Sequence, residues 1–397
     1  MRLRVVSTLT SGRISGVDVF AMHLTEGLAK RGVDARLLFT NPDRVEIDRM
    51  PLPPSATAEQ LPEESRGKRR RRRRALREYL TAIAPCIYLP NYDYDHSPVC
   101  ASLPDSVATI GIVHSDDPMH YDHVRVLGRF WNAVVGVSSH TTRAAANLFP
   151  RPDRVFRIPY GVPVLPSFTP RADRKPGEIR LLYVGRLEQS QKRVLDMVEL
   201  LDRLVRRRVP ARLTLVGDGP ARSKIEESGR RHVESGALRL LGTRRNDEMP
   251  EMYLDADVFL LTSAFEGLPV SLLEAMAFGC VPLATNVKSG VPELVQEGVN
   301  GLLVDVGDVE AMADRIERLQ REPAEIERMG EAARRSMEAG EHSLDRMVDR
   351  YLELFAVVES DLRRGKFRRP RPFPGELAYR RLQCRVGRNI RRLQARP

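Results

Sequence analysis

Short apolar, β-branched runs recur along the whole chain, and stretches with helical spacing separate most of them. In the first half the runs are Arg2–Ser7, Ala35–Phe39, Cys86–Leu89, Val107–Val113, Ala133–Val137 and Val155–Ile158. In the second half they are Ile179–Val184, Arg212–Val216, Leu238–Leu241, Asp257–Leu261, Val281–Ala284 and Leu302–Val304. A strand followed by a helix meets its next partner by a crossover, which makes parallel sheets with helices on both faces. Two sets of six strands predict an α/β chain with two Rossmann-like domains, each a doubly wound parallel sheet, facing a cleft. A length of 397 residues fits two domains.

The boundary falls in Pro159–Gly177, a segment with five prolines, two glycines and no helical period. The expected division is residues 1–165 and 166–345 for the two domains. A helix at 346–360 follows and can cross back to the first domain. A basic tail occupies 361–397.

Composition removes several classes. Cys86, Cys100, Cys280 and Cys384 are scattered, with no CxxC pair, which argues against a zinc site or disulfide framework and fits a reducing cytosol. The apolar run in "MRLRVVSTLTSG" is too short for a signal peptide and reads as a first strand. No apolar stretch has the length of a membrane span. The net charge of +11 is matched by residues 361–397 alone, which hold thirteen Arg or Lys against Asp361 and Glu376. A second basic run, Lys68–Arg74, is offset by acids elsewhere. The basicity therefore belongs to appendages rather than to the body of the fold, and no specific nucleic-acid partner is expected. Within the tail, "FRRPRPFPG" reads as irregular. Ala378, Leu382, Val386 and Ile390 then recur every four residues among arginines, the pattern of a basic amphipathic helix interrupted by Gly387. Such a tail is solvated, docks on an anionic membrane surface, or makes nonspecific nucleic-acid contact that fades with salt.

In an open parallel sheet, ligands sit beyond the carboxyl ends of the strands. Five stretches lie at such ends. In "LLYVGRLEQSQKR", Gly185 permits a tight exit, and Arg186 and Lys192 are two cations suited to a diphosphate. In "LTLVGDGPARSKI", Gly217 and Gly219 make a turn and match neither GxGxxG nor a Walker loop. In "FEGLPVSLLEAMAFG", Pro269 falls at the first helical turn and Gly279 at the stop. Glu266 then lies in a loop at the cleft mouth, and the amides of Gly267, Leu268, Pro269 (which lacks one) and Val270 bracket a helix start suited to an anion. Glu274 is a lone acid in a helix otherwise apolar nearly all round, which calls for a partner such as a ribose diol. In "VATIGIVHSDD", His114 faces the cleft, and Asp116 and Asp117 would raise its pKa or cap the next helix. In "SGRISGVDVFAMHL", Gly12 and Gly16 form the loop between the first strand and the first helix.

Taken together, these residues resemble glycosyltransferase family 4, retaining enzymes of the GT-B fold. The likeness covers most of residues 180–305, through "VGRLEQSQK", "LVGDGP", "ADVFLLTSAFEGLPVSLLEAMAFGCVPLAT" and "GVPELVQEGVNGLLV", with Glu266 and Glu274 as the E-x7-E element. It is looser in the first half, at Gly16, His114, "VVGVSSHTTRAA" and "IPYGV". The resemblance implies a nucleoside-diphosphate sugar donor, UDP- or GDP-linked, and a glycan, lipid-linked or small-molecule acceptor. It implies that Arg186 and Lys192 hold the diphosphate, with Gly185 beside them, and that Glu274 holds the ribose. Glu266 and the amides after it would hold the transferred sugar, with His114 and Gly16 near the reacting centre. It implies no metal and no cofactor, a role in polysaccharide biosynthesis, and a cytoplasmic site of action, with peripheral docking at the inner membrane face. Ser15-Gly16 and Lys288-Ser289-Gly290 depart from the glycine-rich turns common in the family.

Three rival readings stand beside it. A nicotinamide-dependent oxidoreductase would need GxGxxG and an acid downstream, and that fingerprint is missing. A GT-B sugar-nucleotide epimerase is disfavoured by the E-x7-E context. A non-catalytic GT-B-fold binding protein would not need to keep Arg186, Lys192, Glu266 and Glu274 together.

Overall fold

All twelve runs form strands, with ends displaced by no more than two residues. The computed structural model describes residues 4–10, 15–41, 57–62, 69–91, 96–164, 177–338 and 340–370. In the first domain the strands are β1 (Arg4–Leu9), β2 (Asp34–Phe39), β3 (Thr57–Gln60), β4 (Cys86–Leu89), β5 (Val107–Val113), β6 (Ala133–Gly136) and β7 (Val155–Arg157). In the second they are β8 (Ile179–Val184), β9 (Ala211–Val216), β10 (Leu238–Gly242), β11 (Val258–Leu261), β12 (Val281–Thr285) and β13 (Leu302–Val304). Every pairing is parallel, in the orders β3-β2-β1-β4-β5-β6-β7 and β10-β9-β8-β11-β12-β13. Chain order reverses between β1 and β4 and again between β8 and β11. Those two points are where a doubly wound sheet opens a crevice at its carboxyl edge. β3 is the strand that periodicity did not reveal. Its sequence is TAEQ, half-exposed, and it pairs only with β2 at the sheet edge.

Two sequence expectations are corrected. Arg69–Arg74 are not an appendage: they open helix α2 (Arg69–Ala82), whose buried stripe is Arg72, Leu76 and Leu80. Arg72 bonds Asn41 at the carboxyl end of β2, and its long aliphatic stem allows a cation to continue an apolar stripe. The boundary segment starts within packed structure, and residues 165–176 lie outside the described residues. Tyr160 and Val162 are buried, and the backbone of Val162 pairs with His342 and Leu344 at 2.9 and 3.1 Å.

The start of the basic tail is the second correction. Helix α14 (Leu344–Arg363) lies on α1 (Gly16–Lys30) of the first domain. A Cβ at Gly27 would meet Val348 at 2.3 Å, so glycine is what lets the two helices approach. Beyond α14, Phe367 is buried, and the Arg369 guanidinium donates to the carbonyls of Cys100, Phe130 and Val107, each at 2.6 Å. Five of the tail's cations precede residue 370, and Arg369 at least belongs to the fold. The amphipathic pattern from Ala378 to Ile390, the turn at Gly12, and Cys384 lie outside the described residues. Among the described residues no helix is long and apolar enough to cross a membrane.

Candidate active site

The second sheet's switch point gathers the predicted residues. β8 ends at Val184, and Gly185, Arg186 and Leu187 leave its carboxyl edge. The Tyr183 hydroxyl donates to the Arg186 carbonyl at 2.9 Å, and Leu187 N donates to Asp218 O at 2.9 Å, which sets this loop against the next one. The glycines of "GDG" are explained there. A Cβ at Gly217, whose φ is +131°, would meet the Gly185 carbonyl at 1.9 Å, and one at Gly219 would meet that of Leu187 at 2.4 Å. They serve backbone approach between two loops.

A single turn, α5 (Gln189–Lys192), follows, capped by the Glu188 carboxylate. It is tied to the loop after β11: Ala264 N donates to Gln191 O at 2.7 Å, and Thr262 Oγ1 to Lys192 O at 2.7 Å. This brings the Lys192 ammonium to Glu266, 2.6 Å from Oε1. Ser263 Oγ donates to the same oxygen at 2.5 Å. Glu266 is only 5% exposed, so its charge depends on these two partners. The sequence reading placed Glu266 in the loop, as observed, but at an open mouth, whereas here it is enclosed. Arg186 differs: its side chain is 63% exposed, with Glu188 at 3.9 Å as its ion-pair partner.

Helix α10 spans Val270–Ala277 and ends at Phe278, with Gly279 in the left-handed region at φ +73°. Pro269 caps it, one residue earlier than expected. Leu268 and Val270 are buried, so any contact they offer to a ligand is through backbone. Glu274 is half-buried and accepts a hydrogen bond from the Tyr253 hydroxyl at 2.7 Å. Burial pushes its carboxyl up to about 7, and the tyrosine hydrogen bond partly opposes this.

The first domain closes over this loop. Ser115 and Gly267 form an antiparallel bridge, and Asp116 N donates to Glu266 O at 3.2 Å. A Cβ at Gly267 would stand 2.0 Å from the His114 carbonyl. Ser289 Oγ donates to Gly267 O at 2.9 Å and meets Ser138 Oγ at 3.1 Å, so this serine joins the loop after β11 to the first domain. Gly16 is the first residue of α1 rather than part of a loop. A Cβ there would lie 3.7 Å from Val270, so α1 and α10 begin opposite one another.

His114 follows β5 and is buried, with Nδ1 2.5 Å from the Tyr160 hydroxyl. Burial lowers its pKa to about 3. The expected upward push from Asp116 and Asp117 is absent, because both carboxylates are engaged elsewhere. Asp117 caps α3 (Pro118–Leu127) through Met119 N at 2.7 Å, and Asp116 accepts from Tyr121 at 2.6 Å. Asp18, in the first turn of α1, was not singled out from sequence; it closes a capping box with Ser15, and burial raises its pKa to about 7. Its signal was the S-x-x-D spacing from Ser15. Among the described residues no group of three or more His, Cys, Asp or Glu is arranged to hold a metal ion.

Residues 168–336 match the family described as "Glycosyl transferases group 1". That match falls on the second domain. Curated relatives include N-acetyl-alpha-D-glucosaminyl L-malate synthase of Bacillus anthracis, 35% identical over 44% of this chain and 45% of that one. Glycogen synthase of Mycobacterium tuberculosis is 34% identical over 42% of this chain and 41% of that one. The chain thus spans somewhat under half the length of these relatives. Solved structures extend the likeness to both domains. A TarM variant of S. aureus in complex with Fondaparinux, alpha-GlcNAc-glycerol and UDP has a TM-score of 0.74, at 12% identity over 89% of this chain and 100% of that one. HepE of Anabaena in complex with UDP and glucose has a TM-score of 0.72, at 17% identity over 89% of this chain and 100% of that one. The fold is GT-B.

Proposed function

We propose that the chain is a retaining glycosyltransferase that moves a sugar from a nucleoside-diphosphate sugar to a glycan, lipid-linked or small-molecule acceptor, without a metal ion. The observation that carries this is the Lys192–Glu266 pair. It sits at the switch point of the second sheet, against the His114 loop of the first domain, and exposed Arg186 lies earlier in the loop that leads to Lys192.

In this reading Arg186 and Lys192 hold the diphosphate and take up the charge that grows on it as it leaves. Glu274 accepts from the ribose hydroxyls. Glu266, paired with Lys192, accepts from hydroxyls of the transferred sugar, near an anomeric carbon that becomes oxocarbenium-like. The bond from that carbon to the diphosphate oxygen breaks, and the acceptor oxygen bonds on the same face. The acceptor proton passes to the departing phosphate. Glu266 acts here as an acceptor and not as a nucleophile. UDP is the first nucleotide to test, because TarM and HepE were solved with it. The basic residues beyond 370 would dock the enzyme on anionic lipid, a setting suited to a lipid-linked acceptor.

The test is a thermal-shift titration with UDP, GDP, ADP, CMP and NAD, first without metal and then with magnesium. Ligand at about 100 times Kd stabilises the native state by roughly 2.7 kcal/mol. A metal-independent shift with one nucleoside diphosphate, lost in Glu274→Ala and Arg186→Ala, is the expected result. No shift with any of them, or a shift with NAD alone, overturns the reading.

A further inference from the structure

The His114 ring is walled in by other rings. Phe20 meets it edge-on at 5.4 Å between centroids, and His120 does so at 6.2 Å. His114 is 5% exposed and Tyr160 3%. Nδ1 touches the Tyr160 hydroxyl, while Nε2 has no hydrogen-bond partner within the described protein. A buried nitrogen left over in this way needs an explanation.

Two proton arrangements satisfy the contact between Nδ1 and Tyr160. If Nδ1 carries the hydrogen, Tyr160 accepts it, and both the phenolic hydrogen and the Nε2 lone pair are left over. If Tyr160 donates to Nδ1, both atoms of the contact are satisfied and only Nε2–H remains. The second arrangement leaves one orphan instead of two. Burial also keeps the ring neutral and the phenol protonated, so Tyr160 has a hydrogen to give. The pair stands beside the donor loop: Gly267 packs on the His114 carbonyl, and Ser115 bridges to Gly267.

We propose that Tyr160 is a positioning residue. Its hydroxyl donates to His114 Nδ1 and holds the ring as the Nε2–H tautomer, so that His114 offers a neutral hydrogen-bond donor to an oxygen of the bound sugar nucleotide. This rests on the donor site proposed above. A histidine held in this way does not serve as a general base.

The test has two arms on the full chain. In the first, the ligand-free protein is labelled with ¹⁵N-histidine, and His114 is assigned by its loss in His114→Gln. The expected spectrum shows Nε2 protonated and Nδ1 bare, with the tautomer balance changed in Tyr160→Phe. A protonated Nδ1 in the unaltered chain, or an unchanged tautomer in Tyr160→Phe, overturns the proposal. The second arm follows release of UDP from UDP-glucose into water. Tyr160→Phe should lower kcat about tenfold, the effect of one lost hydrogen bond, with KM little changed. In a His114→Gln background, where no tautomer exists to fix, Tyr160→Phe should cost nothing more. An equal loss in both backgrounds would make Tyr160 merely structural. If the unaltered chain neither binds nor cleaves UDP-glucose, that compound is not its donor, and the first arm still decides the tautomer.

Discussion

Glu274 ties a measurable proton to the ribose site. Its carboxyl rises from an ordinary 4.5 to about 7 because the side chain is largely withdrawn from water, with Tyr253 as its hydrogen-bond donor. A carboxyl with a higher pKa in the native chain than in the unfolded one binds its proton more tightly when folded. Stability is therefore fully present below about 4.5 and is lost as the pH rises toward 7. The full rise corresponds to about 3 kcal/mol, and partial contact with water brings the expected cost nearer about 2 kcal/mol. Glu274→Gln should remove that loss, so the substituted chain gains stability relative to its parent at pH 8 and not at pH 5. Ribose hydroxyls can donate to a carboxylate, so binding a sugar nucleotide should favour the ionised form and release the proton. UDP-glucose is a suitable probe, since its phosphates are diesters and do not titrate here. At pH 6.5 a group with a pKa of 7 is about three quarters protonated, and at pH 8 about one tenth. Isothermal titration in buffers of different ionisation enthalpy should show proton release on that scale, with little at pH 8. Asp18 also titrates near 7, and Glu274→Gln separates its contribution. Equal proton release by the unaltered chain and Glu274→Gln would refute the placement of the ribose on Glu274.

Four further outcomes are expected. Lys192→Ala leaves the enclosed Glu266 carboxylate with Ser263 as its remaining side-chain partner and should cost about 3 kcal/mol in urea denaturation. Adding Glu266→Gln should recover most of that loss, and a double variant no more stable than the single would show that the pair does not matter to the fold. Gly267→Ala drives a Cβ against the His114 carbonyl, so turnover should fall more than about tenfold as the domains part, with a larger radius of gyration by X-ray scattering as the check. Arg369→Ala strips three backbone carbonyls of one shared guanidinium and should lower stability by about 2 kcal/mol, measured as a lower Tm. A chain ending at Pro370 should lose co-sedimentation with anionic vesicles, since each Lys or Arg near such a surface adds about 1 kcal/mol, and undiminished binding would dismiss the tail as the anchor.

What the sequence made legible was local. Pro269 and Gly279 bracket α10 through their own backbone preferences, so the helix carrying Glu274 can be placed without knowing its neighbours. The central strands β4, β5, β6, β11 and β12 declare themselves because they are buried along their whole length, and each therefore reads as an apolar run. β3 has no such face to declare, and its polar residues form a strand only because β2 is there to pair with. The Lys192–Glu266 contact joins residues 74 positions apart and depends on α5 being laced to the loop after β11, which no spacing rule describes. Charge misled for a related reason. Asp116 and Asp117 follow His114 in sequence, yet each carboxylate is turned to another partner, and burial alone sets the histidine. Net charge likewise grouped Arg72 and Arg369 with solvated cations. One extends an apolar stripe with its stem and the other fills the carbonyl acceptors of the first domain. A count of arginines records how many cations a segment holds, while long-range packing decides which of them remain available to an outside anion. The cations beyond residue 370 should accordingly respond to salt and lipid, and Arg72 and Arg369 to denaturant.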